Sequence, residues 1–206
     1  MTLGFDIAEA LSDVGYNFTV FRDSGNISGE YLITKANAQI TKPFIREFFL
    51  EGMFEYETNV VAGDVVRIDE TGICYLVVNK TPYVFENEII KYDAILYKCN
   101  VSGELFRPSG EGYHDPQTYR ISTVWNTIKQ NCYALQTESL FGNNLDTDEE
   151  LGELGIKNHE LYVPLSIGIQ SLDRYQPVSG EYYKVETVLK RRFNNVVVAT
   201  LSEDMR

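Results

Sequence analysis

The chain has 206 residues, 44% of them hydrophobic and 13% aromatic, and a formal net charge of −12. This length fits one large or two small domains, and the apolar fraction excludes widespread disorder. The balance of 18 basic against 30 acidic residues argues against general binding to a phosphate backbone, which clustered Lys and Arg side chains drive.

The N-terminal segment predicts a short amphipathic helix followed by a strand. Apolar residues recur every three positions, at Phe5, Ala8, Leu11 and Val14. Asp6 is placed to cap this helix and Gly15 to close it. Residues 16–22 then alternate apolar with polar side chains, as a half-buried strand does, and the Gly, Ser and Asn content of residues 23–30 predicts a loop.

Two segments of the sequence fit either a helix or strands. Residues 33–57 hold a dense apolar cluster interrupted by Pro43, which fits strands around a bend or a helix over residues 45–54. Residues 120–138 have apolar side chains at helical spacing, but β-branched residues crowd the first half.

A β pattern occurs twice along the chain. In each copy an Asp opens a strand, a Gly lies in the following turn, and a Tyr three residues past that Gly precedes a Val by two positions. The first copy has Asp64, Gly72, Tyr75 and Val77, and the second has Asp173, Gly180, Tyr183 and Val185. Further strands are predicted over residues 73–79, 94–99, 161–164, 181–188 and 195–201. The repetition predicts one barrel-like unit built twice.

The Pro, Ser and Gly content of residues 108–117 predicts a linker, and residues 142–155 predict an exposed acidic loop or short helix. We therefore expect two domains, residues 1–110 and 111–206. The predicted fold class is mainly β, with two β-barrel-like units, a short N-terminal helix and long loops.

The sequence holds no recognisable catalytic or metal-binding pattern. Neither His114 nor His159 has a Cys or carboxylate at metal-ligand spacing, and no nucleophile elbow is present. The acidic run around Asp146 and Asp148 lacks the Gly and Glu that an EF-hand requires. We expect no enzyme activity, no cofactor and no metal.

Three features bear on compartment. The cysteines Cys74, Cys99 and Cys132 are odd in number and widely spaced, which predicts reduced core residues. No secretory signal is visible at the N-terminus, so we expect the four Asn-X-Ser/Thr sequons to occur by chance composition and not as glycosylation sites. No run of about 18 apolar residues occurs, so no membrane span is expected.

The trio Lys190, Arg191 and Arg192 is the only basic cluster. It predicts a turn between the last two strands, either simply solvated or in contact with an acidic partner or nucleic acid. The 14 tyrosines are spread along the predicted strands. This distribution is more typical of core and interface residues than of a carbohydrate-binding platform.

Parts of the chain resemble the virion neck proteins of tailed bacteriophages, also called head-tail connector, head closure or head completion proteins. The similar segments are residues 63–66, 75–78 and 95–100, with the Lys-Cys-Asn ending of the last, and then 173–175, 183–185, 193–198 and 203–206. They are short β signatures within the stretches 63–100 and 173–206, which together span about 70 residues.

The resemblance implies a β-barrel subunit of a hexameric or dodecameric ring beneath the portal. Such a ring contacts the portal or its adaptor on one side and the tail terminator or tail tube on the other. Genomic DNA passes through its lumen without sequence-specific binding, and the protein is located in the virion after assembly in the bacterial cytoplasm. Lys190, Arg191 and Arg192 would then form contacts between subunits. A tail terminator, a baseplate component and a host-surface carbohydrate-binding module are the alternatives.

Overall fold

The computed structural model describes residues 3–22, 24–36, 46–114, 121–138 and 159–204. The chain divides into two compact units. The first comprises residues 1–99 together with 190–196, and the second comprises residues 100–189 and 197–206. Each unit is built on a closed antiparallel barrel, which confirms the predicted fold class.

The first unit begins with the predicted helix, α1 (Leu3–Val14). Leu11 is buried, and the Gly15 amide donates to the Leu11 carbonyl at 2.8 Å, which ends the helix. Six strands follow: β1 (Tyr16–Phe21), β2 (Ile27–Ala36), β3 (Phe49–Glu55), β4 (Val65–Ile68), β5 (Cys74–Phe85) and β6 (Glu88–Lys98). They close in the order β1-β2-β3-β6-β5-β4. The rings of Phe18 and Phe54 meet edge to face in the core, 5.5 Å apart.

The predicted loop over residues 23–30 is wrong in its second half, because β2 begins at Ile27. Phe18 pairs with Glu30 and Thr19 with Ser28, so Gly29 is the extra residue of a β-bulge. Its φ of 86° is a conformation that glycine adopts without strain. A polar, glycine-rich stretch therefore builds a bulged strand here.

The segment around Pro43, for which helix and strand were both predicted alternatives, contains strand β3 over Phe49–Glu55. The helical alternative is wrong for these residues. β3 pairs with β2 on one side and β6 on the other, and this pairing overrides the helical spacing. Pro43 itself lies outside the described residues.

The hairpin of β5 and β6 is longer than the predicted strands over residues 73–79 and 94–99. A two-residue turn at Glu86 and Asn87 joins the strands, with φ values of 48° and 68°. Positive φ at both positions is typical of a type I′ turn, whose twist matches a hairpin. Because Glu-Asn lacks the glycine that is usual in such turns, the sequence did not predict a turn at these two residues.

The second unit repeats the architecture of the first. Its strands are β7 (Val101–His114), β8 (Ile121–Glu138), β9 (His159–Pro164), β10 (Arg174–Gln176), β11 (Tyr183–Leu189) and β12 (Val196–Glu203). A single 3₁₀ turn, Leu165–Ile167, follows β9. The barrel closes in the order β7-β8-β9-β12-β11-β10, which is the order of the first barrel with every strand number raised by six. The doubled sequence pattern is thus a doubled fold.

Two expectations for this unit need correction. The predicted linker is strand as far as residue 114, and the predicted domain boundary at residue 110 falls inside β7. Pairing with β8 continues past Pro108 because register shifts accommodate it. The ambiguous residues 121–138 form strand β8. Residues 115–117 and the predicted acidic loop, 142–155, lie outside the described residues.

The Asp of each sequence copy forms the same side-chain clasp with an arginine. In the first barrel, Arg22 Nε donates to Asp64 Oδ1 at 2.8 Å and Nη2 to Oδ2 at 2.5 Å. In the second, Arg107 makes the same two bonds to Asp173, both 2.8 Å long. We call these pairs the barrel clasps.

The bonds around each clasp also recur. The second oxygen of Asp64 accepts the Val61 amide at 2.8 Å, and that of Asp173 accepts the Gln170 amide at the same distance. Each arginine donates through Nη2 to a backbone carbonyl five residues before the aspartate, at Asn59 and Gly168.

The Val of each sequence copy is part of the same arrangement. Val77 donates its amide to the Asp64 carbonyl at 2.9 Å, and Val185 donates to the Asp173 carbonyl at the same distance. In both copies, therefore, the Asp and the Val of the sequence pattern are joined by a backbone hydrogen bond.

The two copies differ at the residue before the aspartate. Its φ is positive in both, 92° at Gly63 and 72° at Leu172. A Cβ at Gly63 would collide with the Asn195 backbone, so only glycine fits there. Leu172 is 54% exposed and bears the left-handed conformation with a side chain.

We predict that Asp173→Ala lowers the free energy of unfolding by about 2–4 kcal/mol, because it removes a buried carboxylate and leaves the Arg107 guanidinium and the Gln170 amide without their acceptor. The matched control is Asp93→Ala, whose carboxylate pairs with Lys91 at 2.9 Å but is 52% exposed. That change should cost less than about 1 kcal/mol. Urea unfolding followed by circular dichroism measures both, and equal effects would contradict the clasp's role.

We further predict that Leu172→Gly raises the free energy of unfolding by about 0.5–1 kcal/mol. Relief of the left-handed strain exceeds the entropy that glycine adds to the unfolded chain. Gly63→Ala should have the opposite sign, since its Cβ meets the Asn195 backbone. Thermal unfolding of both variants tests this, and a destabilised Leu172→Gly protein would contradict it.

Candidate functional site

The predicted contact residues Lys190, Arg191 and Arg192 lie between β11 and β12, as expected, and all three are exposed. Although they connect two strands of the second barrel, residues 190–196 belong to the first unit. Within the described part of the chain, none of the three makes an ion pair with a carboxylate. We call them the basic turn.

A cavity of about 300 Å³ lies beside the basic turn. Its walls are residues of β5, β6 and the turn: Val78, Asn79, Ile95, Tyr97, Arg191, Arg192, Phe193 and Asn194. Every lining residue belongs to the first unit. Lys190 does not line it, so the structure separates the predicted trio into two cavity arginines and a neighbouring lysine.

Ring contacts and one tight backbone approach hold the turn in place. The rings of Tyr97 and Phe193 meet edge to face at 6.5 Å, and the Arg192 guanidinium lies 5.6 Å from the Phe193 ring. Asn195, with φ of 59°, packs against Gly63. Gly63, the residue before the first clasp aspartate, thus accommodates the segment that follows the basic turn.

A second polar cluster surrounds Glu30, which is 7% exposed. Its carboxylate accepts the Thr58 hydroxyl at 2.5 Å, the Asn59 amide at 3.1 Å and the Asn59 side chain at 3.2 Å. Lys80 Nζ donates to the Val60 carbonyl at 2.6 Å, and burial lowers the pKa of Lys80. Each group is engaged by neighbouring protein atoms, so the cluster fastens the β3–β4 connection to the barrel.

A third cluster centres on Arg174 in the second unit. Its guanidinium lies 4.0 Å from the Trp125 ring centre and 5.0 Å from that of Tyr182, and Nε donates to Asp204 at 2.7 Å. The Asp204 side chain is 1% exposed. Two aromatic faces and a buried carboxylate thus stabilise this arginine, which ties the last strand to β10.

The two histidines, which were considered as metal ligands from the sequence, lie in different strands. The His159 ring contacts Tyr183 at 5.1 Å between ring centres, and His114 ends β7. No group of three metal-ligand side chains occurs among the residues that the structure describes. Tyr75, Tyr162 and Tyr175 are buried, as the core interpretation predicts for them.

The cysteines are free, with Cys74 and Cys132 buried and Cys99 half-buried. Burial raises the pKa of both the Cys74 and Cys99 thiols, which keeps them protonated and unreactive. In the described part of the chain, no helix combines the length and apolar character needed to cross a bilayer.

The β5–β6 hairpin extends beyond the pairing of its neighbours. β4 pairs with β5 only over Cys74–Leu76, and β3 pairs with β6 only from Lys91 onward. Among the described residues, the strand pairing of residues 83–90, which we call the first arm, is only between β5 and β6. Tyr83, Val84, Phe85 and Ile89 on this arm are 41–55% exposed. Sequence reasoning missed this feature, although the apolar run at residues 83–85 was a signal.

The β7–β8 hairpin has a similar extension. β10 pairs with β7 over residues 104–106, and β9 pairs with β8 over residues 135–138. Beyond the residues that pair with β10, residues 108–114 of β7 and 121–125 of β8 pair with each other and form a second arm, on which Val124 is 44% exposed. Each barrel thus carries a hairpin arm with apolar side chains in solvent.

Comparison with known proteins adds no assignment. No family model matches the chain, and no curated protein and no solved structure matches it significantly.

Proposed function

We propose that the protein is a structural virion component of a tailed bacteriophage, a ring-forming subunit at the head-tail junction without enzymatic activity. The observation that carries this proposal is the pair of closed barrels, each clasped shut and each bearing a hairpin arm. The neck-protein signatures in the sequence include the clasp aspartates.

Closure determines which surfaces are available for assembly. A closed barrel has no sheet edge to offer a neighbour, which blocks uncontrolled strand pairing. The arms, in contrast, present strand edges and exposed side chains such as Val84 and Phe85. An assembly subunit needs this combination of a rigid body and defined contact elements.

The proposed partners follow from the same role. Copies of the chain form a hexameric or dodecameric ring, which contacts the portal or adaptor on one side and the tail terminator or tail tube on the other. The net charge of −12 is compatible with a lumen that conducts genomic DNA without adsorbing it. The proposed location is the virion, after assembly in the bacterial cytoplasm.

Electron microscopy of virions carrying a labelled copy of the chain tests the location. We expect label at the head-tail junction with six- or twelve-fold symmetry. Label at the tail tip would instead indicate a baseplate component, and label at the top of the tail tube a tail terminator. Absence of the protein from virions would exclude the proposed function.

We predict that Val84→Ser combined with Phe85→Ser reduces incorporation into particles by about tenfold or more. Burying two such side chains in an interface contributes about 1–2 kcal/mol each. The matched control is Val178→Ser, because Val178 is 58% exposed but lies on neither arm. Quantitative mass spectrometry of purified particles measures incorporation. Normal incorporation of the arm variant would contradict a role for the first arm.

A further inference from the structure

The two arginines that line the cavity, Arg191 and Arg192, differ from the arginines of the chain that form ion pairs. Within the described residues, four arginines have an aspartate partner: Arg22 with Asp64, Arg67 with Asp69, Arg107 with Asp173 and Arg174 with Asp204. Arg191 and Arg192 have no carboxylate within ion-pair distance there, in a chain with 30 acidic residues. Among the described residues, no carboxylate therefore neutralises their charge.

The cavity walls match a carboxylate on an aliphatic stem. Two guanidinium groups supply the planar forks that bind carboxylates in a bidentate manner. The amides of Asn79 and Asn194 add donors, and Ile95 and Phe193 supply apolar surface for the stem. A volume of about 300 Å³ accommodates one or two side chains rather than a nucleic-acid groove.

The basic turn is also held in shape before any partner arrives. The Tyr97–Phe193 ring contact and the packing of Asn195 on Gly63 hold the residues that directly follow Arg192. Because a preorganised site loses little conformational entropy on binding, these contacts favour a specific complex over diffuse attraction.

We propose that this cavity receives an acidic side chain from a second copy of the same chain, an inference that rests on the proposed ring. A net charge of −12 makes the chain itself a source of carboxylates and opposes binding of a polyanion such as DNA. A basic cavity that meets an acidic surface elsewhere on an identical chain is a heterologous contact. Contacts of this kind generate rings when the rotation closes.

Sedimentation velocity of the full-length chain at about 50 and about 500 mM NaCl tests the proposal. We expect concentration-dependent association at low salt that weakens at high salt. Arg191→Glu and Arg192→Glu should each lower the association constant about tenfold or more, since each replaces a charge-assisted bond with repulsion. Thermal unfolding verifies that the variants remain folded. The double variant Arg191→Gln with Arg192→Gln removes both charges without reversing them, and it should also weaken association.

Lys190→Glu is the matched control, because it makes the same charge change in the same turn but outside the cavity. It should reduce association by less than about threefold if the cavity is the site. An equal loss for all three variants, or a wild-type chain that stays monomeric at low salt, would overturn the proposal. So would salt-sensitive binding of a labelled DNA duplex that Arg191→Glu abolishes while self-association persists.

The outcomes also separate this inference from the proposed function. Neck rings that still form in virions carrying Arg191→Glu and Arg192→Glu together would exclude the cavity contact and leave the neck assignment standing. Cavity-dependent association of a chain that virions lack would support the contact and remove the neck assignment.

Discussion

Each barrel closes where its first strand meets its fourth, and an arginine–aspartate clasp fixes that junction. Phe21 pairs with Val65 in one barrel, and Phe106 pairs with Arg174 in the other. The clasp residues are the direct neighbours of these pairs, Arg22 with Asp64 and Arg107 with Asp173. The Asp173 side chain is 1% exposed, so its charge requires the arginine and the amide that it binds. Without this partner set the closure would leave a buried charge, and the rest of the barrel depends on closure.

The two copies show how one constraint persists while its surroundings diverge. The residue before each aspartate needs a positive φ because the chain turns there to present the carboxylate. In the first copy Asn195 packs against this turn, and only Gly63 leaves the space for it. In the second copy Leu172 is mostly in solvent, so a strained side chain is tolerated. The glycine thus marks a contact in addition to a turn.

The sequence predicted most of the strands, because runs of valine, isoleucine and tyrosine between polar turn residues are a local strand signal. It did not reveal Arg22 and Arg107, which lie 42 and 66 residues from their partners, a separation that no local pattern encodes. A shared Phe-Arg pair in the two copies was the available signal. The strand β8 and the bulge at Gly29 were obscured because pairing across the sheet, rather than propensity, decides them. The basic turn was visible, but its division into cavity arginines and Lys190 needed the fold.

Closure also explains why the candidate contact elements lie where they do. Two clasped barrels use their own strand edges internally, so recognition is left to what projects from them or connects their strands. The first arm offers apolar side chains on a two-stranded hairpin, and the basic turn offers two guanidinium groups, of which that of Arg192 lies beside the Phe193 ring. In the proposed contacts, the apolar side chains would supply affinity that salt screens little, and the arginines would select an acidic surface and fix its orientation. The same closure that prevents indiscriminate strand pairing therefore leaves the proposed assembly to two kinds of element, one apolar and one basic, and a ring of defined geometry would require such restricted contacts.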